Sequence, residues 1–142
     1  MRSILCVGVG SFIGGVLRYL VSVWTSKILN PMFPYGTLSV NIVGCLSIGF
    51  LAGLAESRLT LTPDLRLFLI VGLVGGFTTF SAFAWETFSL ARNAQGIAAL
   101  NIALQLLLGF LAVWLGHLLA LTPNRVPYQH TNNPLPAFHI YR

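Results

Sequence analysis

LFLIVGLVGGFTTFSAFAWETFSL, residues 67–90, is the stretch on which the reading of this chain turns. It is long and apolar enough to cross a bilayer, which takes about 20 mostly apolar residues. Its centre resists a smooth helix, because Gly72, Gly75, Gly76, Thr78 and Thr79 fall mid-span. Glycine is less favourable than alanine in a helix by about 1 kcal/mol. Non-helical backbone at membrane depth is tolerated only where protein or a watery cavity surrounds it. Two readings of the centre stay open. A break would free carbonyls near the midplane to hold a small cation. Alternatively, Gly72 and Gly76 form a small-xxx-small pair that serves helix packing.

The rest of the chain fits a membrane setting. Its 142 residues suggest one domain by length, but 56% are hydrophobic and only 8% charged. Mean hydropathy is +0.81. Soluble domains carry about 25% charged residues, so this surface must meet lipid. Three more apolar segments join the first: residues 4–24, 35–55 and 97–121. They define an all-α membrane protein of four transmembrane helices over 1–121. The first segment is expected to be a retained helix rather than a signal peptide, since no small-x-small cleavage site follows and Arg18 stands near its end. The connections are short, so the helices must alternate direction and both termini share one side. Residues 122–142 hold Pro123, Pro127, Pro134 and Pro136 and are expected to be a disordered or loosely attached tail. His130 and His139 there lack the partners of a metal site.

The net charge of +5 does not indicate nucleic acid. Lysines and arginines are scattered singly beside apolar runs, as topology determinants are. Arg2, Arg58, Arg66, Arg125 and Arg142 lie on the terminal side. Lys27 and Arg92 lie opposite, with Arg18 if it reaches that interface. The two sides are so nearly balanced that a mixed orientation is expected. Cys6 and Cys45 sit inside apolar runs, without metal-ligand spacing, and read as small buried residues.

Several polar or aromatic residues stand out within the spans. Phe80 and Phe83 share one helix face. They read as lipid-facing filler, or as rings whose positive edges flank an anion loosely enough for it to leave. Asn41 reads as a helix-to-helix bond or as an amide replacing water around a desolvated anion. Arg18 must snorkel or face a wet cavity, and Glu86 is an intramembrane acid. Asn101, Gln105 and Gly109 form a polar-to-small stripe, and Gly10/Gly14 and Gly49/Gly53 supply further packing pairs.

Together these residues form three motifs: Gly14-Gly15-x-x-Arg18-Tyr19, Pro34-x-Gly36-Thr37-Leu38-x-Val40-Asn41, and Gly75-Gly76-x-Thr78-Thr79-Phe80-Ser81-x-Phe83-x-x-Glu86. The pattern resembles the Fluc (CrcB-type) fluoride ion channels over residues 1–121. The resemblance implies an antiparallel, dual-topology homodimer with two fluoride pores. It implies a structural sodium ion (Na+) held by the backbone carbonyls of Gly75 and Thr78. It also implies aromatic boxes from Phe80 and Phe83, a pore amide from Asn41, and nearby hydroxyl donors from Ser81 and Thr37. Arg18 and Glu86 match family positions in supporting roles. Gln105 departs from the pattern, standing where a small hydroxyl residue is expected, and the tail is longer than the pattern needs.

The function expected is passive, fluoride-selective export across the inner (plasma) membrane, relieving fluoride toxicity. The alternative is a small proton-coupled multidrug exporter of dual topology, which would depend on Glu86. A third class, a non-transporting assembly factor, would use the glycines and leave Asn41, Phe80 and Phe83 idle. No nucleotide-binding loop, paired-carboxylate site or Ser-His-acid set points to an enzyme.

Overall fold

Each apolar run becomes a helix. A computed structural model describes residues 1–56 and 61–121 of the chain. The expectations for Arg58, Arg125, Arg142, His130, His139 and the 122–142 tail lie outside the described residues. The elements are α1 (Arg2–Ile28), α2 (Tyr35–Glu56), α3 (Pro63–Arg66), a π-helix (Leu67–Val74), α4 (Gly75–Phe77), α5 (Phe80–Asn93) and α6 (Gln95–Leu121). α3, the π-helix, α4 and α5 make up the third span. Four stretches are long and apolar enough to cross a membrane: Arg2–Ile28, Tyr35–Ala55, Pro63–Asn93 and Gln95–Leu121. The molecule is an all-helical, multi-pass membrane protein.

The helix ends follow from local chemistry. α1 runs past its apolar stretch because Thr25 Oγ1 donates back to Val21 O at 2.8 Å, keeping a polar residue content inside the last turn. Asn30 then turns the chain, its Oδ1 accepting from Met32 N at 2.9 Å, and Pro31 and Pro34 forbid helix on either side. Thr62 caps α3, accepting from Leu65 N at 3.3 Å ahead of Pro63 in the first turn. Between α5 and α6 stands Ala94 alone, tighter than the sequence suggests, because α5 continues through Arg92 and Asn93.

Packing uses small residues. The buried apolar side chains are Leu38, Val40, Ile70, Ala98, Ala112 and Ala120, while Phe12, Phe110 and Trp114 are exposed. Lipid tails are as apolar as leucine, so large side chains gain nothing by turning inward, and close backbone approach holds the helices instead. A Cβ on Gly10 would sit 2.9 Å from Gly72 Cα, and one on Gly76 would sit 2.8 Å from Ser11 Cα. The contacts advance together along both helices, so α1 and the third span run parallel. α2 and α6 do the same: Gly109 faces Cys45, Gly49 abuts Val113, and Gly53 abuts His117. Two parallel pairs are what four alternating spans produce when first meets third and second meets fourth.

Candidate functional site: a polar break in the third span

The helix stops at Thr78 and Thr79, whose backbones are extended (φ −82°, ψ 160° and φ −153°, ψ 112°). Thr78 N still donates to Val74 O at 3.0 Å and closes α4. Thr79 N does not continue the ladder toward Gly75. It donates to Asn41 Oδ1 at 2.8 Å, and Thr79 O accepts from Asn41 Nδ2 at 3.1 Å. One side chain of α2 thus replaces the missing helical partners on both sides of a single residue. Burying a donor or acceptor without a partner costs about 1–3 kcal/mol. Asn41 removes that cost at both groups. Thr79 then starts α5 as its cap, with Oγ1 accepting from Ala82 N at 3.2 Å.

Three further polar links reach the break or α5. Arg18 Nη1 donates to Thr78 O at 3.4 Å, so this α1 arginine points to the break. Thr37 Oγ1 donates to Glu86 Oε1 at 2.7 Å. Asn101, fully buried at 0% exposure, donates from Nδ2 to Thr87 Oγ1 at 2.8 Å. Asn41 Nδ2 also donates to Gln105 Oε1 at 3.2 Å, tying α2 to α6 beside the break. Among the described residues, Glu86 Oε2, Asn101 Oδ1 and Gln105 Nε2 are buried with no partner.

These residues divide between two cavities. An open groove of about 480 Å³ brings together Gly75, Thr78, Asn41, Phe80 and Phe83, joined by Gln105. A second space of about 200 Å³ is lined by Ser22, Thr25, Asn30, Thr37 and Glu86. Thr37 therefore stands apart from the Asn41 groove, its hydroxyl hydrogen committed to Glu86. Ser81 is exposed and lines neither cavity; its Oγ lies 3.3 Å from Thr79 Oγ1. Phe80 and Phe83 meet each other edge-on at a centroid distance of 5.6 Å and 61°, so one chain does not hold a gap between its own two rings. Phe80 is 78% exposed on the open side of the groove.

The break suits a small cation in its donor chemistry. Thr79 N has turned to Asn41, which leaves Gly75 O without its helical donor, and Gly75 is exposed. Thr78 O accepts from Arg18 and keeps a second lone pair. Against this, the Arg18 guanidinium is itself a positive charge beside Thr78 O. Among the described residues no group of three or more His, Cys, Asp or Glu could hold a metal, so any ion here would rest on backbone oxygens.

Spacing along the chain does not reveal Thr79 as the bonded residue or Gln105 as a partner of Asn41. The first carries a faint signal, a threonine three residues before Ala82 where α5 begins. The second carries only the stripe through Asn101 and Gly109.

A helical membrane protein with polar backbone, an amide pair and aromatic rings around a mid-span break belongs to the class that offers ions or small solutes a path through the bilayer. A family model described as "CrcB-like protein, Camphor Resistance (CrcB)" matches residues 5–117. Similar proteins include the "Fluoride-specific ion channel FluC" of Agrobacterium fabrum, 46% identical over 117 residues (82% of this chain, 94% of that protein). The protein of the same name from Flavobacterium psychrophilum is 43% identical over 121 residues, 84% of this chain and 98% of its own. That from Chlorobium chlorochromatii is 46% identical over 114 residues, 80% and 88% respectively. The chain belongs to the CrcB-like family, and that family groups it with ion channels rather than enzymes.

Proposed function

We propose that this chain is a fluoride-selective channel that lets fluoride leave the cell passively through the plasma membrane and so relieves its toxicity. The observation that carries the reading is the junction of Asn41 with Thr79 beside Phe80 and Phe83, in a groove at the break. Relatives named "Fluoride-specific ion channel FluC" carry it from the side of sequence. Fluoride is small and strongly hydrated, so it needs hydrogen-bond donors along its path and only weak partners elsewhere. Ring edges meet the second need. An inside-negative potential drives the anion outward, by about 2.3 kcal/mol per charge per 100 mV.

The functional unit is an antiparallel homodimer with two pores. The groove lies open on the side of one chain with Phe80 exposed, and a second copy would cover it. The near-balance of Arg2 and Arg66 against Lys27 and Arg92 agrees with subunits inserted in both orientations. A central sodium ion would rest on Gly75 O and Thr78 O of both copies, fixing the break by charge. A proton-coupled exporter draws no support from the comparisons.

Efflux from liposomes containing the purified chain tests the reading, with fluoride expected to leave and chloride to stay. Chloride release at the fluoride rate would defeat it. Phe80→Ile is expected to cut fluoride efflux at least about tenfold, by removing the ring edge that the ion passes. Cross-linking and size-exclusion measurements should show the variant still dimeric.

A further inference from the structure

Asn41 cannot be the free donor of this groove, and its own bonds show why. Its amide faces the backbone of Thr79, which offers one N–H and one carbonyl. Only one orientation satisfies both: oxygen toward the N–H, nitrogen toward the carbonyl. The polarity of Asn41 is therefore fixed by chemistry even though a carboxamide's two ends look alike. Nδ2 carries two hydrogens. One goes to Thr79 O at 3.1 Å and the other to Gln105 Oε1 at 3.2 Å. Neither is left for an ion.

The same logic orients Gln105. It must turn oxygen to Asn41, so its nitrogen faces away. That nitrogen is buried and has no partner among the described residues. Its groove neighbours Phe80, Phe83, Cys45 and Leu106 offer no strong acceptor. The other unpartnered groups near α5, Glu86 Oε2 and Asn101 Oδ1, present oxygen and cannot serve an anion as an ionised carboxylate or an amide carbonyl. Gln105 Nε2 is the donor that wants an acceptor. The last torsion of a glutamine is broad, so the amide can swing into the groove without a strained rotamer.

We infer that Gln105 Nε2, not the amide of Asn41, is the nitrogen that hydrogen-bonds the anion in this groove, and that Asn41 is the residue that positions it. The inference rests on the fluoride-channel reading above. In place of a short hydroxyl on α6, this chain uses a long amide that Asn41 holds by its oxygen.

Fluoride and chloride efflux from liposomes would be compared for the full-length wild type, Gln105→Glu and Gln105→Met. Gln105→Glu keeps an oxygen for Asn41 and replaces the –NH2 group with a second acceptor. Its fluoride efflux is expected to fall about a hundredfold or more, since a donor becomes an acceptor facing an anion. Gln105→Met removes the donor and releases one hydrogen of Asn41. A smaller loss is expected, about tenfold, with fluoride-over-chloride selectivity reduced by a similar factor. If Gln105 serves only to brace Asn41, Gln105→Glu will conduct like wild type, which overturns the inference. Gln105→Met within twofold of wild type in both rate and selectivity overturns it too, and decides the matter alone should Gln105→Glu fail to insert. Wild-type vesicles that retain fluoride overturn the channel reading and this inference with it.

Discussion

The two halves of the third span are held by opposite means. Before the break, residues of the π-helix and α4 lie against α1 through bare backbone: Gly10, Gly14, Gly72 and Gly76 leave no room for a Cβ. After it, α5 is held by side-chain hydrogen bonds from α2 and α6, namely Thr37 to Glu86, Asn41 to Thr79 and Asn101 to Thr87. The first half is packed and the second is bonded. The break falls where one kind of attachment gives way to the other, which is where the backbone has to leave its own ladder to find partners.

That contrast can be broken from either side. The largest effect is expected on the packed half. At Gly14 a Cβ would collide with Leu73 O, a backbone atom that cannot swing aside. Overpacking usually costs about 1–3 kcal/mol and occasionally more, and a leucine adds several atoms to the collision. Gly14→Leu should therefore give no monodisperse protein on size exclusion in detergent; a normal peak would mean the seam is looser than described.

On the bonded half, Asn41→Leu removes the partners of Thr79 N and O while leaving them buried. A loss of about 2–3 kcal/mol is expected, read as the shift in denaturant midpoint for the detergent-solubilised protein. An unchanged midpoint would show that Thr79 finds other partners. The Thr37–Glu86 bond is open to a double-mutant cycle with Thr37→Val and Glu86→Gln. Coupling of about 0.6–1.7 kcal/mol is expected, the range for side-chain bonds between membrane helices. Zero coupling would remove this link from the comparison. The smallest effect belongs to exposed Trp114. Trp114→Leu, on neither half, should stay within about 0.5 kcal/mol of wild type by the same midpoint measurement.

The membrane fold was legible because hydropathy needs no long-range knowledge. A run such as 97–121 is apolar whatever lies beside it, and Thr78-Thr79 after Gly75-Gly76 announces a weak point in the helix. The two readings left open for that run both hold along different parts of it: Gly72 and Gly76 pack, and the helix parts two residues later. The partners across the break were not legible. Asn41 is 38 residues from Thr79 and 64 from Gln105, and helix periodicity carries no information at such separations. Thr37 illustrates the cost. It shares a face of α2 with Asn41, four positions away, which suggests a common role. In the folded chain one reaches Glu86 and the other Thr79, and they line different cavities. The π-helix at Leu67–Val74 had no sequence signal either, since its run of large apolar residues suits an α-helix equally well.

The amide of Asn41 sets an order of assembly. α2 leaves the ribosome before Thr79 does, so the group that completes the parted strand of backbone is already waiting in the bilayer when that strand arrives. Gln105 follows last and seals Asn41 from the far side. A chain halted before α6 would own a formed kink but an unclosed one, and its maturation would end with the fourth crossing.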